Sequence, residues 1–190
     1  MILGLLLYVS QALNYTYWIE PCWIEPGARP KSTACQSGDS QLAQWAFEAW
    51  QSGSTGRLTM TKTSDPQKGR IRLYWADAQQ GMYGEARFVA GSEGRVAEVY
   101  VRPAPLQPED PLLRDAVVYL TCVHEIGHAL GLPHTSDFQD IMYSFQFGGD
   151  IPEYFGRYRR RLKARGDIRD TSALSAPDRR RLLTAIVPNP

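Results

Sequence analysis

The sequence predicts a single α+β domain built around one five-stranded sheet. Its 190 residues are enough for one domain with a substantial core. A hydrophobic share of 43% and a charged share of 22% are typical of an ordinary soluble globular protein. The order of the predicted elements indicates the class: one strand, one helix, four further strands, a long helix and a C-terminal helix.

The chain begins with a short apolar run, Met1–Val9, and residues 10–12 after it form a possible cleavage site, so residues 1–12 are either a signal peptide or an apolar lead-in to the first strand. This run is too short to span a bilayer as a helix. We therefore assign the folded domain to residues 13–190. The first strand is predicted at Leu13–Ile19, because this stretch is rich in aromatic and β-branched residues.

A loop rich in proline, glycine and serine is predicted at residues 22–39. In an exported protein, Cys22 and Cys35 can close a disulfide worth about 3 kcal/mol for a loop of this size. The alternative is two free thiols. The first helix follows at Ser40–Gln51, and its apolar side consists of Leu42, Trp45, Phe47, Ala49 and Trp50.

Four strands are predicted in the middle of the chain, where alternating apolar residues are interrupted by turn residues. They are Leu58–Lys62, Arg70–Trp75, Tyr83–Val89 and Val96–Val101. Residues 90–94 contain two glycines and suit a hairpin connection between the last two strands.

The long helix is predicted at Pro111–Leu130, with Asp110 as its cap and proline at its first position. Cys122 lies about 200° around this helix from His124, so we expect a buried structural thiol that points away from the histidine. The apolar stripe of the helix runs on into two histidines, in the order Leu113, Val117, Leu120, His124 and His128.

Two further helices are predicted near the C-terminus. Ser175 and Pro177 mark the start of the last one. Within the long segment 145–174, Tyr154, Tyr158 and Leu162 recur at four-residue spacing and predict a short amphipathic helix. Its basic outer face is either a solvated surface or a binding surface for an acidic substrate, phospholipid headgroups or an inhibitor. The basic residues are Arg157, Arg159, Arg160, Arg161, Lys163 and Arg165.

The run from His124 to His134 contains all three histidines of the chain. On a helix, His124 and His128 lie on one face about 6 Å apart along the axis. Both rings can then reach one zinc ion at about 2.0–2.1 Å. Gly131 can take the left-handed conformation that ends a helix, which lets His134 approach the same ion. The spacing therefore predicts three ligands, with the fourth position left for water.

Glu125 lies beside the first of these ligands, about 100° around the helix. From there its carboxylate can reach a water molecule at the metal without binding the metal itself. Three histidines, one glutamate and one glycine at these five fixed positions occur by chance in roughly one in 10⁵ chains of this length. The pattern therefore predicts a catalytic zinc site with Glu125 as the general base.

The histidine pattern resembles that of the metzincin metalloproteases. The stretch Asp140–Ser144 looks like the Met-turn of that family, with Met142 beneath the zinc. Thr135 and Ser136 follow the third histidine, as a small hydroxyl residue does in the matrixins. The resemblance implies a zincin-like fold, in which a twisted mixed five-stranded sheet carries a backing helix, a zinc-site helix and a C-terminal helix. It also implies a secreted or extracytoplasmic zinc metalloendopeptidase.

In the matrixins, an extended substrate pairs antiparallel with the edge strand of the sheet above the zinc helix. The strand that corresponds in order is Tyr83–Val89. The resemblance therefore implies that the substrate binds along Gly84, Glu85, Ala86 and Arg87. Tyr143, which follows the Met-turn methionine, is expected to form part of the pocket wall.

The expected cofactor is one catalytic zinc ion, because three histidines serve one site and none remains for a second. Calcium binding stays open. Asp137, Asp140 and Asp150 are available as ligands, but they do not have the spacing of a calcium loop. We expect a peptide or protein substrate and a monomer. A net charge of +1 gives no reason to expect a nucleic acid partner.

Two other functions compete with proteolysis. A zinc-containing module can bind peptides or an inhibitor without turnover, although the presence of Glu125 argues against a silent site. A hydrolase of the same mechanism can also act on an amide that is not a peptide bond. Digestion of a peptide library separates these functions.

Overall fold

The computed structural model describes residues 12–22, 35–77, 83–91, 94–105 and 107–186. The predicted run at residues 1–12 lies outside these ranges except for its last residue. Within the described ranges, no helix combines the length and the apolar character that crossing a membrane requires.

The five predicted strands form one mixed sheet, which confirms the predicted fold class. They are β1 (Leu13–Ile19), β2 (Leu58–Lys62), β3 (Ile71–Trp75), β4 (Gly84–Gly91) and β5 (Gly94–Val101). The order across the sheet is β2-β1-β3-β5-β4. β1, β2, β3 and β5 pair in parallel, whereas β4 pairs antiparallel with β5 and forms an edge of the sheet. β4 is thus the predicted edge strand.

Five helices accompany the sheet in the described part of the chain. They are α1 (Asp39–Gly53), α2 (Pro111–Ala129), α3 (Ile151–Arg159), α4 (Asp167–Asp170) and α5 (Ala176–Ala185). Short 3₁₀ turns occur at Pro66–Lys68 and Phe145–Phe147. The predicted caps of α2 and α5 are both present: the Asp110 carboxylate accepts the Leu113 amide, and the Ser175 hydroxyl accepts the Asp178 amide.

The core lies between one face of the sheet and the pair α1 and α2. Tyr17 of β1 stacks on Phe47 of α1 with ring centroids 3.9 Å apart. Trp50 of α1 is fully buried and donates its indole N–H to the carbonyl of Val123 on α2, at 2.8 Å. These contacts hold α2 against the rest of the fold, and α2 is the helix that carries the first two histidines.

A buried ion pair also ties α1 to α2. The Arg114 guanidinium makes two hydrogen bonds to the Asp39 carboxylate, and both side chains are almost completely buried. Close by, Cys22 and Cys35 form a disulfide with their Cα atoms 5.5 Å apart. Of the two alternatives, the structure thus contains the disulfide. Cys122 is a buried free thiol, as predicted.

The predicted boundaries need small corrections. α1 starts one residue earlier than predicted and runs on to Gly53, and α2 ends at Ala129. β4 continues to Gly91 and β5 already begins at Gly94, so the hairpin connection is shorter than the predicted residues 90–94. Residues 92 and 93 of that connection lie outside the described residues. Ladder hydrogen bonds lengthen both strands, which local turn composition does not reveal.

The segment 145–174 forms two helices where one was predicted. Tyr154 and Tyr158 are buried on α3 as predicted, but Leu162 lies beyond the end of α3, where it is buried as part of the core. Several of the basic side chains are paired within the molecule. Arg159 pairs with Asp110, Arg160 with Glu153, and Arg165 with Asp115. Part of the predicted basic face is therefore neutralised by neighbouring carboxylates.

Candidate active site

α2 presents His124 and His128 in one direction, and backbone carbonyls orient both rings. Nδ1 of His124 lies 2.7 Å from the Ile141 carbonyl, and Nδ1 of His128 lies 2.8 Å from the Leu132 carbonyl. Since a carbonyl only accepts, each Nδ1 carries a proton. Burial lowers the pKa of His124 to about 4, so its ring is neutral at pH 7 and its Nε2 carries a lone pair.

His134 joins these two histidines because the chain reverses after α2. Gly131 has a φ of +91°, a conformation that glycine adopts without steric cost. The three Nε2 atoms come together at 3.1 Å (His124 to His128), 3.0 Å (His128 to His134) and 3.3 Å (His124 to His134). The structure thus brings together all three histidines that the sequence selected.

The donor set of this cluster fits a zinc ion. Nε2 of His124 and Nε2 of His128 both have lone pairs, so these two atoms cannot hydrogen-bond to each other. Three nitrogens that bind one tetrahedral zinc at about 2.0–2.1 Å are about 3.3–3.4 Å apart. The observed separations of 3.0–3.3 Å are close to that value. A cation between the three nitrogens would satisfy lone pairs that otherwise face one another.

Glu125 borders the same cavity as His124 and His134. Its side chain is buried, with 6% of its surface exposed, and lies directly against Gly84 of β4. Burial raises the pKa of Glu125 to about 8, and the nearby Glu85 carboxylate adds to the rise. A cation held by the histidines would act in the opposite direction, because it favours the ionised carboxylate.

Met142 lies beneath the histidine-bearing helix and is fully buried. Its Sδ packs against Gly127 of α2, since a Cβ placed on that glycine would lie only 2.4 Å from the sulfur. The turn is held to the strand-like segment after His134, since Thr135 N–H donates to the Met142 carbonyl at 2.9 Å. Tyr143 is buried, donates its hydroxyl to the Gly148 carbonyl at 2.8 Å and lines the cavity.

The C-terminal helix α5 supports this turn through a contact that sequence reasoning missed. The Asp178 carboxylate accepts the Ile141 N–H at 2.9 Å, and the Ile141 carbonyl accepts a hydrogen bond from His124. Burial raises the pKa of Asp178. The neighbouring Asp140 is fully buried and accepts from Ser175 and Arg181, each at 2.6 Å. The sequence showed Ser175 only as a helix start, and nothing in it indicated where α5 packs.

An aromatic cavity of about 270 Å³ adjoins the histidines. Beside Tyr143, its aromatic lining comes from residues that precede β4 or follow the Met-turn: Tyr83, Phe145, Tyr154 and Phe155. α3 supplies the last two of these. The sequence predicted α3 as an amphipathic surface helix, so its contribution to the cavity was not foreseen.

The predicted substrate-binding residues on β4 lie in different environments. Gly84 borders the cavity, and Ala86 is partly buried against the core. Glu85 and Arg87 line a separate depression of about 190 Å³. The Arg87 side chain there bonds to Glu98 and Tyr100 of β5. The side chains of Glu85 and Arg87 are therefore not brought to the histidines.

The three aspartates considered for calcium each have another partner. Asp140 pairs with Ser175 and Arg181 as described, Asp137 accepts the Gln139 N–H at 2.9 Å, and Asp150 caps α3. These carboxylates act as turn, cap and ion-pair groups in the structure.

A family model for the matrixins matches residues 29–150, a range that ends just before α3. The chain belongs to the matrixin family. It is accordingly a zinc metallopeptidase, and the coarse function expected from the histidine pattern is confirmed. The part of this matrixin that completes the aromatic cavity, α3, lies beyond the matched residues.

Among solved structures, the chain is similar to the archaemetzincin of Methanopyrus kandleri. The two share 14% sequence identity at a TM-score of 0.48, over 95% of this chain and 98% of the archaemetzincin.

Proposed function

We propose that this matrixin is a zinc-dependent endopeptidase in which His124, His128 and His134 hold the zinc and Glu125 is the general base. The observation that carries this proposal is the convergence of the three Nε2 atoms at the wall of a cavity that Glu125 also borders. Two of the three rings are already oriented by backbone carbonyls, so the site needs little rearrangement to bind a metal.

A zinc ion bound there supplies a Lewis acid that activates water and polarises the scissile carbonyl. Glu125 accepts the proton of the attacking water on its carboxylate and delivers it to the nitrogen of the departing amine. Its burial against Gly84 limits the motion of the carboxylate, which favours proton transfer in one geometry.

The edge strand β4 provides the substrate-binding backbone in this proposal. Its outer edge has no strand partner among the described residues, so its amide and carbonyl groups can pair with an extended peptide. Gly84, Glu85, Ala86 and Arg87 then contribute through their backbone, because their side chains are not directed together at the histidines. The aromatic cavity takes the side chain of the first residue after the scissile bond. β4 continues for seven residues beyond Gly84, and the ladder reaches Tyr83 on the other side, so a peptide can extend on both sides of the cleaved bond, as an endopeptidase requires.

We also propose that the protein acts outside the cytoplasm as a monomer. The Cys22–Cys35 disulfide supports this location, because such bonds persist mainly in oxidising compartments.

Two substitutions test the assignment of roles. Glu125→Gln is expected to keep about one zinc ion per chain and to lower kcat on a general peptide substrate by about 10²- to 10⁴-fold, since only proton transfer is removed. His128→Ala is expected to lose the zinc and the activity together. Elemental analysis of dialysed protein and a peptide digest measure both. A Glu125→Gln protein that retains most of its activity, or a His128→Ala protein that retains its zinc, would contradict the assigned roles.

A further inference from the structure

A second cavity lies next to the aromatic cavity, on the other side of a single aromatic wall. The wall consists of Tyr83 and Phe155, whose ring centroids are 5.4 Å apart and which line both cavities. Phe155 is buried, whereas Tyr83 is 38% exposed and so reaches the surface between them. The second cavity, with about 590 Å³, is the larger of the two.

The lining of the second cavity is mainly apolar and comes from three places in the fold. The chain after β5 contributes Pro103 and Pro105. The first half of α2 contributes Leu113 and Val117, and the start of α3 contributes Ile151 and Pro152. The polar residues of the described lining include Arg102 and Gln107, and no carboxylate is among the described lining residues. This environment suits a large apolar side chain and disfavours a cation.

The position of the second cavity relative to Glu125 follows from the sheet register. Gly84 lies against the Glu125 side chain, and the preceding residue, Tyr83, continues the ladder because its carbonyl accepts the Arg102 N–H at 2.9 Å. The step from Gly84 to Tyr83 therefore leads away from the general base and toward the second cavity. A peptide that pairs antiparallel with β4 carries its residues after the scissile bond in this direction.

In an extended peptide, side chains two residues apart point to the same side and lie about 6.6–6.8 Å from each other. A side chain in the first cavity is thus followed, two residues later, by one that has passed the wall of Tyr83 and Phe155. We propose, building on the endopeptidase function above, that the second cavity binds the side chain of the third residue after the scissile bond. The preferred substrates then have a large apolar residue at that position.

Peptides that differ only at this third position test the proposal. We expect kcat/KM to be about tenfold or more higher with leucine than with glycine there, the range that an apolar pocket achieves for a few carbon atoms. The same preference is expected in binding to the zinc-loaded Glu125→Gln protein, which measures affinity without turnover.

Ile151→Asp places a carboxylate in the second cavity at a position where the helix tolerates it, the first residue of α3. This variant is expected to reduce the leucine-to-glycine ratio to near one and to raise the affinity for lysine at the third position. Ala176→Asp is the matched control, because it introduces an acid at the first residue of α5, which lines neither cavity. It is expected to leave the ratio unchanged.

The outcomes separate this proposal from the one on which it builds. If peptides are cleaved but leucine and glycine at the third position differ by less than twofold, the second site is refuted and the endopeptidase stands. If the preference exists but survives Ile151→Asp, it arises elsewhere and the second site is again refuted. If no peptide is cleaved, yet binding shows the preference and Ile151→Asp abolishes it, the second site stands and the proposed hydrolysis fails.

Discussion

Replacing Gly84 by alanine is expected to displace the carboxylate of Glu125. A Cβ atom on Gly84 would lie 2.5 Å from Cγ of Glu125 and 2.8 Å from both Cδ and Oε1. Favourable contacts between carbon atoms begin at about 3.5 Å, so the glutamate side chain has to retreat by about 1 Å. Glu125 is only 6% exposed, so the space that its carboxylate can enter is the cavity that it borders, and a move there displaces it from its working position.

The expected effect falls on the chemical step. A misplacement of about 1 Å in a reacting group can cost about 10²-fold in rate, and complete loss of general-base transfer costs about 10²- to 10⁴-fold. We therefore expect kcat of Gly84→Ala to fall by about 10²-fold. Zinc content should stay the same, because the added methyl group meets none of the three histidines among its closest contacts. The overpacking itself is expected to lower the free energy of unfolding by about 1–3 kcal/mol.

The assay combines steady-state kinetics on one peptide, elemental analysis and denaturant unfolding. Gly166→Ala is the control, since a Cβ at that position meets no atom within 4 Å. The unfolding experiment is repeated in a Glu125→Ala background, which removes all three atoms that the new methyl group meets. There, the new methyl group no longer meets those atoms, so Gly84→Ala is expected to cost less than about 0.5 kcal/mol, the usual size for a substitution that disturbs no packing. A kcat within about threefold of the parent protein, or the same destabilisation in both backgrounds, would refute the reasoning.

Two further substitutions address the support beneath the histidines. Gly127→Ala would place a Cβ 2.4 Å from Met142 Sδ and 2.8 Å from Cζ2 of Trp50, so we expect a loss of about 1–3 kcal/mol in unfolding free energy; a thermal midpoint equal to or above that of the parent would contradict this contact. Asp140→Asn tests the buried carboxylate at the turn, where burial raises the pKa but the hydrogen bonds from Ser175 and Arg181 outweigh it, so that the pKa lies below the ordinary value of 3.8. A carboxylate whose pKa is lower in the folded than in the unfolded state stabilises the fold at a pH above the unfolded-state pKa. This stabilisation is lost as the pH falls through the folded-state pKa. The variant should therefore be about 1.5–3 kcal/mol less stable than the parent at pH 7 and should approach the parent below pH 3.8. A constant difference in stability from pH 7 down to acid unfolding would show that the charge of Asp140 is not responsible.

The sequence alone determined the parts of the site that depend on spacing within one segment. His124 and His128 are four residues apart on a helix, and helical geometry is the same in any fold, so their common direction was predictable. Gly131 marked the reversal that brings in His134, because few other residues adopt its positive φ. Aromatic and β-branched content predicted the first strand, and the alternation of apolar residues predicted the other four, with β1 and β2 correct to the residue.

Tertiary structure alone decided which distant segments meet around the histidines. Gly84 and Glu125 are 41 positions apart, and their contact depends on how the edge strand crosses α2. Tyr83 and Phe155 form a common wall only because α3 packs against α2. The sequence of α3 taken alone predicted a surface helix. The hydrogen bond from Ile141 to Asp178 depends in the same way on the packing of α5. Local propensity and periodicity do not encode such contacts. They indicate that a helix or strand has an apolar face to bury, but not which other element that face packs against.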